Sequence, residues 1–353
     1  MDDVKYCSKC GEEMPLDAIY CQKCGYKVKS ENVLSNIGSK TPKNKSVIVV
    51  AVLITIIVAI VGGYYLMMPQ YDFDTFNELI EKSNIEIEEG EKLELDYTIE
   101  VLENNEENKN IDWTSGDISS KEKNVTIFKD RVLKDKSMNS MLENAKSHYK
   151  NSENLFLEMK SLNLPNTYYE YINKNIDLVQ KKQKELDLMI KLENNRNMFI
   201  QFLLYYTEGD IYRFKAGDEI KKTLDSYSST EIISSLDNAI HYTNLSITKW
   251  KNANNIIYTN ALRNDINSLE CIKSSVSELS NSYKARLKGE FYYTQNTVYD
   301  CRNINGLSGI LSELSNWTDK NIAPMENEIT ILSNEITTLK EETEKMWNNL
   351  SNS

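Results

Sequence analysis

Apolar and polar positions alternate with different periods along this chain, and each period predicts a different element. Val47 to Met68 is an unbroken run of 22 uncharged residues. At 1.5 Å per helical residue it is long enough for a bilayer core of about 30 Å, and Pro69 ends it. From Leu93 the period becomes two: Leu93, Leu95, Tyr97, Ile99 and Val101 alternate with polar residues, the pattern of a half-buried strand. Val125 to Phe128 is its expected pairing partner, across an Asn/Glu-rich loop.

Beyond residue 129 the period is that of helices. Two helical stretches, roughly 130–162 and 166–206, flank Pro165, and Gly209 and Gly217 are expected to bracket a turn and a shorter helix. Leu262, Ile266, Leu269, Ile272, Val276, Leu279, Tyr283 and Leu287 recur at threes and fours. With a capping-box pattern at Ser228 and Glu231, they predict one helix from about 229 to 286. Ile322, Met325, Ile329, Leu332, Ile336 and Leu339 then follow a strict 3-4 alternation, the seam of a coiled coil or a bundle helix.

The expected fold class is therefore a small four-Cys zinc ribbon, one transmembrane helix, and a mainly α extracytoplasmic domain of long antiparallel helices. A small membrane-proximal β element would sit between the last two. The boundaries expected are residues 1–28 for the ribbon, 29–46 for a basic linker, 47–68 for the span, 69–128 for the membrane-proximal segment and 129–353 for the helical domain.

The ribbon rests on Cys7-x2-Cys10 and Cys21-x2-Cys24. Each CxxC places two thiolates on one tight turn, and two such pairs supply the four sulfurs of a tetrahedral metal. So short a segment buries too little apolar surface to fold alone, so the metal would supply folding energy. Zinc suits the ligand set best, with iron and a disulfide pair as alternatives. A four-sulfur site has no open position, which makes it structural rather than catalytic. The run Tyr6-Cys7-Ser8-Lys9-Cys10-Gly11, followed by Tyr20-Cys21-Gln22-Lys23-Cys24-Gly25, resembles the N-terminal zinc ribbon of many prokaryotic membrane proteins. The resemblance covers about 25 residues and implies one zinc ion on Cys7, Cys10, Cys21 and Cys24, with a docking role.

Charge sets the direction. Lys40, Lys43 and Lys45 precede the apolar run, whereas Asp72, Asp74, Glu78 and Glu81 follow it. The positive-inside rule then puts the ribbon in the cytoplasm and the C-terminal domain outside. A signal anchor fits better than a cleaved signal peptide, whose apolar core is shorter. Within the run, Ala51, Thr55, Ala59 and Gly63 form a small-residue stripe suited to a homodimer.

Eight lysines stand against six acids in residues 1–46, a weak footprint for phosphate, so nucleic acid is not the expected partner. Residues 69–353 carry 33 basic and 47 acidic residues, which repel anionic lipid and nucleic acid. Cys271 and Cys301 straddle Gly289, where a helix hairpin would turn, and are expected to form a disulfide in an oxidising compartment. Tyrosines cluster at Tyr168, Tyr169 and Tyr171, at Tyr205 and Tyr206, and at Tyr292 and Tyr293, with helix boundaries as their expected place.

No phosphate loop, nucleophile elbow or HExxH is present, and His148 and His241 stand alone, so no enzyme activity is expected. The expectation is a single-pass, membrane-anchored interaction protein whose outer domain binds an envelope or membrane partner. The alternatives are a transmembrane sensor signalling to the ribbon and a membrane-tethered nucleic-acid regulator.

Overall fold

A computed structural model of the protein describes residues 4–6, 13–15, 70–111, 117–290, 301 and 306–351. Cys7, Cys10, Cys21, Cys24, the basic linker, the apolar run Val47–Met68, Tyr292 and Tyr293 lie outside the described residues. The chain divides into two compact units, Met1–Pro69 and Gln70–Ser353.

In the first unit, β1 (Val4–Tyr6) and β2 (Glu13–Pro15) pair antiparallel, with Val4 opposite Pro15 and Tyr6 opposite Glu13. The second unit is built from α1 (Phe73–Asn108), α2 (Ile118–Met159), α3 (Asn166–Asp225), α4 (Ser229–Ile256), α5 (Asn260–Leu287), α6 (Gly306–Asn321) and α7 (Ala323–Ser351). This corrects the expected fold class. Residues 93–101 and 125–128 lie inside α1 and α2, so the membrane-proximal β element does not exist. Among the described residues, no helix is long and apolar enough to cross a membrane.

The alternation in α1 has a helical explanation. Leu93, Tyr97 and Val101, four apart, face the core. Leu95 and Ile99, two residues out of step and so about 200° away, face outward. Two helical stripes on opposite faces read as one strand.

The 60-residue α3, about 90 Å long, is the axis of the second unit. α2 runs antiparallel along it, from Lys121 beside Asp210 (2.8 Å) to Lys146 beside Asp187 (2.5 Å). Phe76, Met138, Tyr149, Phe156, Ile172 and Leu186 form one core cluster, where α1 and α2 cover the N-terminal half of α3. Phe202, Trp250, Leu262 and Leu314 anchor a second, around its C-terminal half. Ile232, Leu236 and Val276 form a small third cluster between α4 and α5.

Gly209 and Gly217 fall inside α3 rather than ending it. Gly209 is where the Trp250 indole lies on bare backbone: a Cβ there would be 2.2 Å from Cδ1 of Trp250. That approach lets Nε1 donate to the Tyr206 carbonyl at 3.0 Å, while the indole stacks on the Tyr206 ring, centroids 5.7 Å apart.

The expected helix 229–286 is instead a hairpin of α4 and α5, turning at Ile257–Thr259. The Thr259 hydroxyl accepts from Leu262 N, and the amide of Thr259 donates to Asn254 Oδ1 at 2.9 Å. Glu313, from α6, accepts from the backbone amides of Asn260 and Ala261 at 2.7 and 2.9 Å. A carboxylate about fifty residues away thus satisfies the first amides of α5. Ser228 precedes α4 but makes no side-chain cap; Glu231 instead accepts from the Ser226 hydroxyl. α5 ends at Gly289, whose positive φ (71°) lets Glu290 N reach the Ala285 carbonyl and Gly289 N the Arg286 carbonyl.

The two glycines of α3 give opposite predictions. Gly209→Ala forces the buried indole away and breaks its hydrogen bond, outweighing the helix preference of alanine of about 1 kcal/mol. We expect a net loss of about 2 kcal/mol by chemical denaturation. Gly217 has nothing within 4 Å of such a Cβ, so Gly217→Ala should stabilise by about 0.5–1 kcal/mol.

Candidate functional site

Two regions carry chemistry. In the first unit, Cys7, Cys10 and Gly11 fall in the sequence between β1 and β2 and lie outside the described residues. Two paired strands on either side of a CxxC fit a ribbon built around a metal, and the all-cysteine donor set fits zinc.

In the second unit a cleft of about 410 Å³ opens where α7 lies against α1 and α3. Tyr149, Tyr171, Val179, Lys182, Ile336 and Trp347 are among its walls. Trp347 tilts onto Tyr171, with ring centroids 5.4 Å apart. Lys182 contacts Glu94 at 2.8 Å and Glu185 at 3.2 Å. Burial works against its charge, but the two carboxylates prevail and raise its pKa. Tyr149 donates to Glu94 at 2.5 Å, and burial together with that carboxylate pushes its phenol well above the usual range. The cleft therefore offers aromatic faces, a fixed ammonium and amide groups.

α7 closes this cleft chiefly through charge. Lys174, Lys181, Lys184 and Arg196 on α3 meet Glu342, Glu335, Glu328 and Glu326 on α7 in antiparallel register, and Lys340 meets Glu91 of α1 at 2.7 Å. These pairs are largely exposed, so each contributes little and is screened by salt. The buried residues of α7 are few: Leu332, Ile336 and Thr343.

A second cavity, of about 320 Å³, lies near the middle of α3, lined by Arg131, Arg196, Phe128 and Phe199 among others. Arg131 Nε is 2.8 Å from Asp135 Oδ1, off-line for a hydrogen bond. Glu193 accepts from the Tyr97 hydroxyl at 2.7 Å and from Arg196 at 2.8 Å. Burial drives the Asp135 carboxyl up to about 6, against the pull of Arg131. At Glu153 the balance reverses: burial pushes upward, but hydrogen bonds from Gln180, Lys150 and Gln183 hold it at about 2.

The other residues singled out from sequence fall as follows. Cys271 and Cys301 are joined by a disulfide, Cα atoms 5.7 Å apart, closing a loop of separation 30. Cys271 lies on α5, but Cys301 precedes α6 instead of sitting on a facing helix. His148 Nδ1 lies 2.8 Å from Glu86 at the α1–α2 boundary. Tyr169 bonds Leu162 and Leu164 in the turn before α3. The two tyrosines of the cleft come from different helices, which spacing along the chain does not reveal; the Tyr168–Tyr171 cluster was the one local signal.

The zinc-ribbon domain family matches residues 6–28. The chain thus carries a zinc-ribbon domain at its N-terminal end. No curated protein and no solved structure matches the chain significantly.

Two measurements test these electrostatics. Raising salt from 50 mM to 1 M should increase amide hydrogen exchange across Glu326–Lys345 several-fold while leaving the middle of α3 unchanged. Asp135 holds a proton in the folded state that the unfolded chain releases near pH 4, so its contribution falls as pH rises from about 4 to 6. Relative to wild type, Asp135→Asn should therefore gain about 2 kcal/mol in denaturation free energy between pH 4 and pH 7.

Proposed function

We propose that this is a membrane-anchored interaction protein, with a structural zinc ribbon on the cytoplasmic side and a helical domain outside that binds an envelope or membrane protein. The observation that carries the reading is the division into two compact units, Met1–Pro69 with a zinc-ribbon domain and an uncharged run in its sequence, and Gln70–Ser353 with a helical body. The length of Val47–Met68 supports the anchor, and the lysines before it and acids after it support the direction. The Cys271–Cys301 disulfide agrees with an oxidising compartment for the helical body. Cys7, Cys10, Cys21 and Cys24 hold one zinc ion, which stabilises the ribbon without reacting.

A second reading, transmission of an outer signal to the ribbon, is favoured by one contact. The chain just after Pro69 is fastened to the turn between α2 and α3. Asp72 N donates to the Asn163 carbonyl (3.0 Å), Asn163 N to the Asp72 carboxylate (2.8 Å) and Asn163 Nδ2 to the Gln70 carbonyl (2.7 Å).

Crosslinking of the full-length protein in its native membrane, with links mapped by mass spectrometry, tests the main reading. Reproducible links from residues 1–28 and from 70–353 to different proteins are the expected result; links only between copies of the chain would overturn it. The purified protein should contain one zinc per chain. Cys7→Ser with Cys10→Ser should abolish that zinc and the links from residues 1–28, and leave the outer links intact.

A further inference from the structure

α1 has an outward face with no helix against it. Leu95, Ile99 and Leu102, at i, i+4 and i+7, are 60%, 46% and 60% exposed, and Ile85, nearly three turns toward the N-terminus, is 54% exposed. This spacing is the contact stripe of a helix that packs on another helix. The opposite stripe, Leu93, Tyr97 and Val101, already packs in the core, so α1 is apolar on two sides.

The charge around the stripe selects the partner. α1 carries thirteen acidic residues and two basic ones. Lys82 is paired with Glu78 at 2.7 Å, and Lys92 lies 3.9 Å from Glu89. Glu81, Glu88, Asp96 and Glu103 flank the stripe, are exposed, and make no salt bridge among the described residues. A second copy meeting this face through the same stripe would set Glu81, Glu88, Asp96 and Glu103 against the same four carboxylates, and an anionic lipid surface would be repelled.

We propose that this face of α1 is a docking surface for a basic amphipathic helix of a partner protein. The partner presents apolar residues at i, i+4 and i+7 flanked by Lys or Arg, and lies along α1 with its cations against Glu81, Glu88, Asp96 and Glu103. The inference rests on the interaction reading above and gives it a surface and a partner chemistry.

The test uses the full-length protein and two labelled synthetic peptides of one Lys/Leu composition. One places its leucines on a single helical face; the other scatters them. The ordered peptide is expected to bind at least tenfold more tightly than the scattered one. The variant Leu95→Ser/Ile99→Ser/Leu102→Ser should lose that preference with its thermal midpoint unchanged, because these side chains are exposed. The variant Glu88→Gln/Asp96→Asn/Glu103→Gln should weaken both peptides and flatten their salt dependence. Equal binding of the two peptides, or a preference that survives the serine variant, overturns the proposal. So does a dimer of the full-length protein that the serine variant dissolves. Crosslinks from 70–353 that avoid α1, in the experiment above, would remove this surface while leaving the interaction reading standing.

Discussion

The contact on which most of the helical unit depends is the indole of Trp250 lying on the backbone of α3 at Gly209. A single helix of 60 residues has little stability of its own in water and persists only where neighbours bury it. α1 and α2 cover its first half. Along its second half the cover comes mainly from α4, and Trp250 is the largest fully buried side chain there. Its ring continues a stack that begins with Phe202 and Tyr206, 6.2 Å apart, so one residue of α4 fixes depth, rotation and register against α3 together. The hydrogen bond to Tyr206 satisfies a polar atom that would otherwise be costly in the core.

Around that axis, apolar burial declines toward α7. The helices nearest α3 are held by large aromatic and aliphatic groups at close to zero exposure, whereas α7 is held by surface charge pairs and a short apolar seam. Apolar burial is indifferent to ionic strength and surface ion pairs are not. The wall of the Tyr149–Tyr171–Trp347 cleft is thus the part of the unit whose attachment the surrounding medium can tune. Such elements lie at the low end of the range of local stability.

The sequence was most readable where chemistry is local. Ligand spacing needs only a turn, so Cys7-x2-Cys10 and Cys21-x2-Cys24 announce a zinc ribbon without help from the rest of the chain. Apolar recurrence at threes and fours, as in Leu262–Leu287 and Ile322–Leu339, announces helices. What failed to show was decided by partners distant in sequence. Gly209 read as a breaker because nothing nearby in the chain says that an indole forty residues on will fill its place. The break at Ile257–Thr259 was hidden because its cap, Glu313, belongs to α6. Leu93–Val101 read as a strand because a period of two arises equally from one strand face or from two helical faces, and only burial separates them. The cleft was invisible for the same reason, being assembled from four helices.

The fastening of Gln70 and Asp72 to Asn163 gives the helical unit a mechanical character. Tension arriving from residue 69 does not act on the first turn of α1 alone. Three hydrogen bonds divide it between α1 and the turn that joins α2 to α3, and behind them stand the Phe73 and Tyr168 rings, 5.3 Å apart. A pull that would otherwise peel one helix is delivered to the foot of three at once. The unit is thereby built to be tugged as a single body.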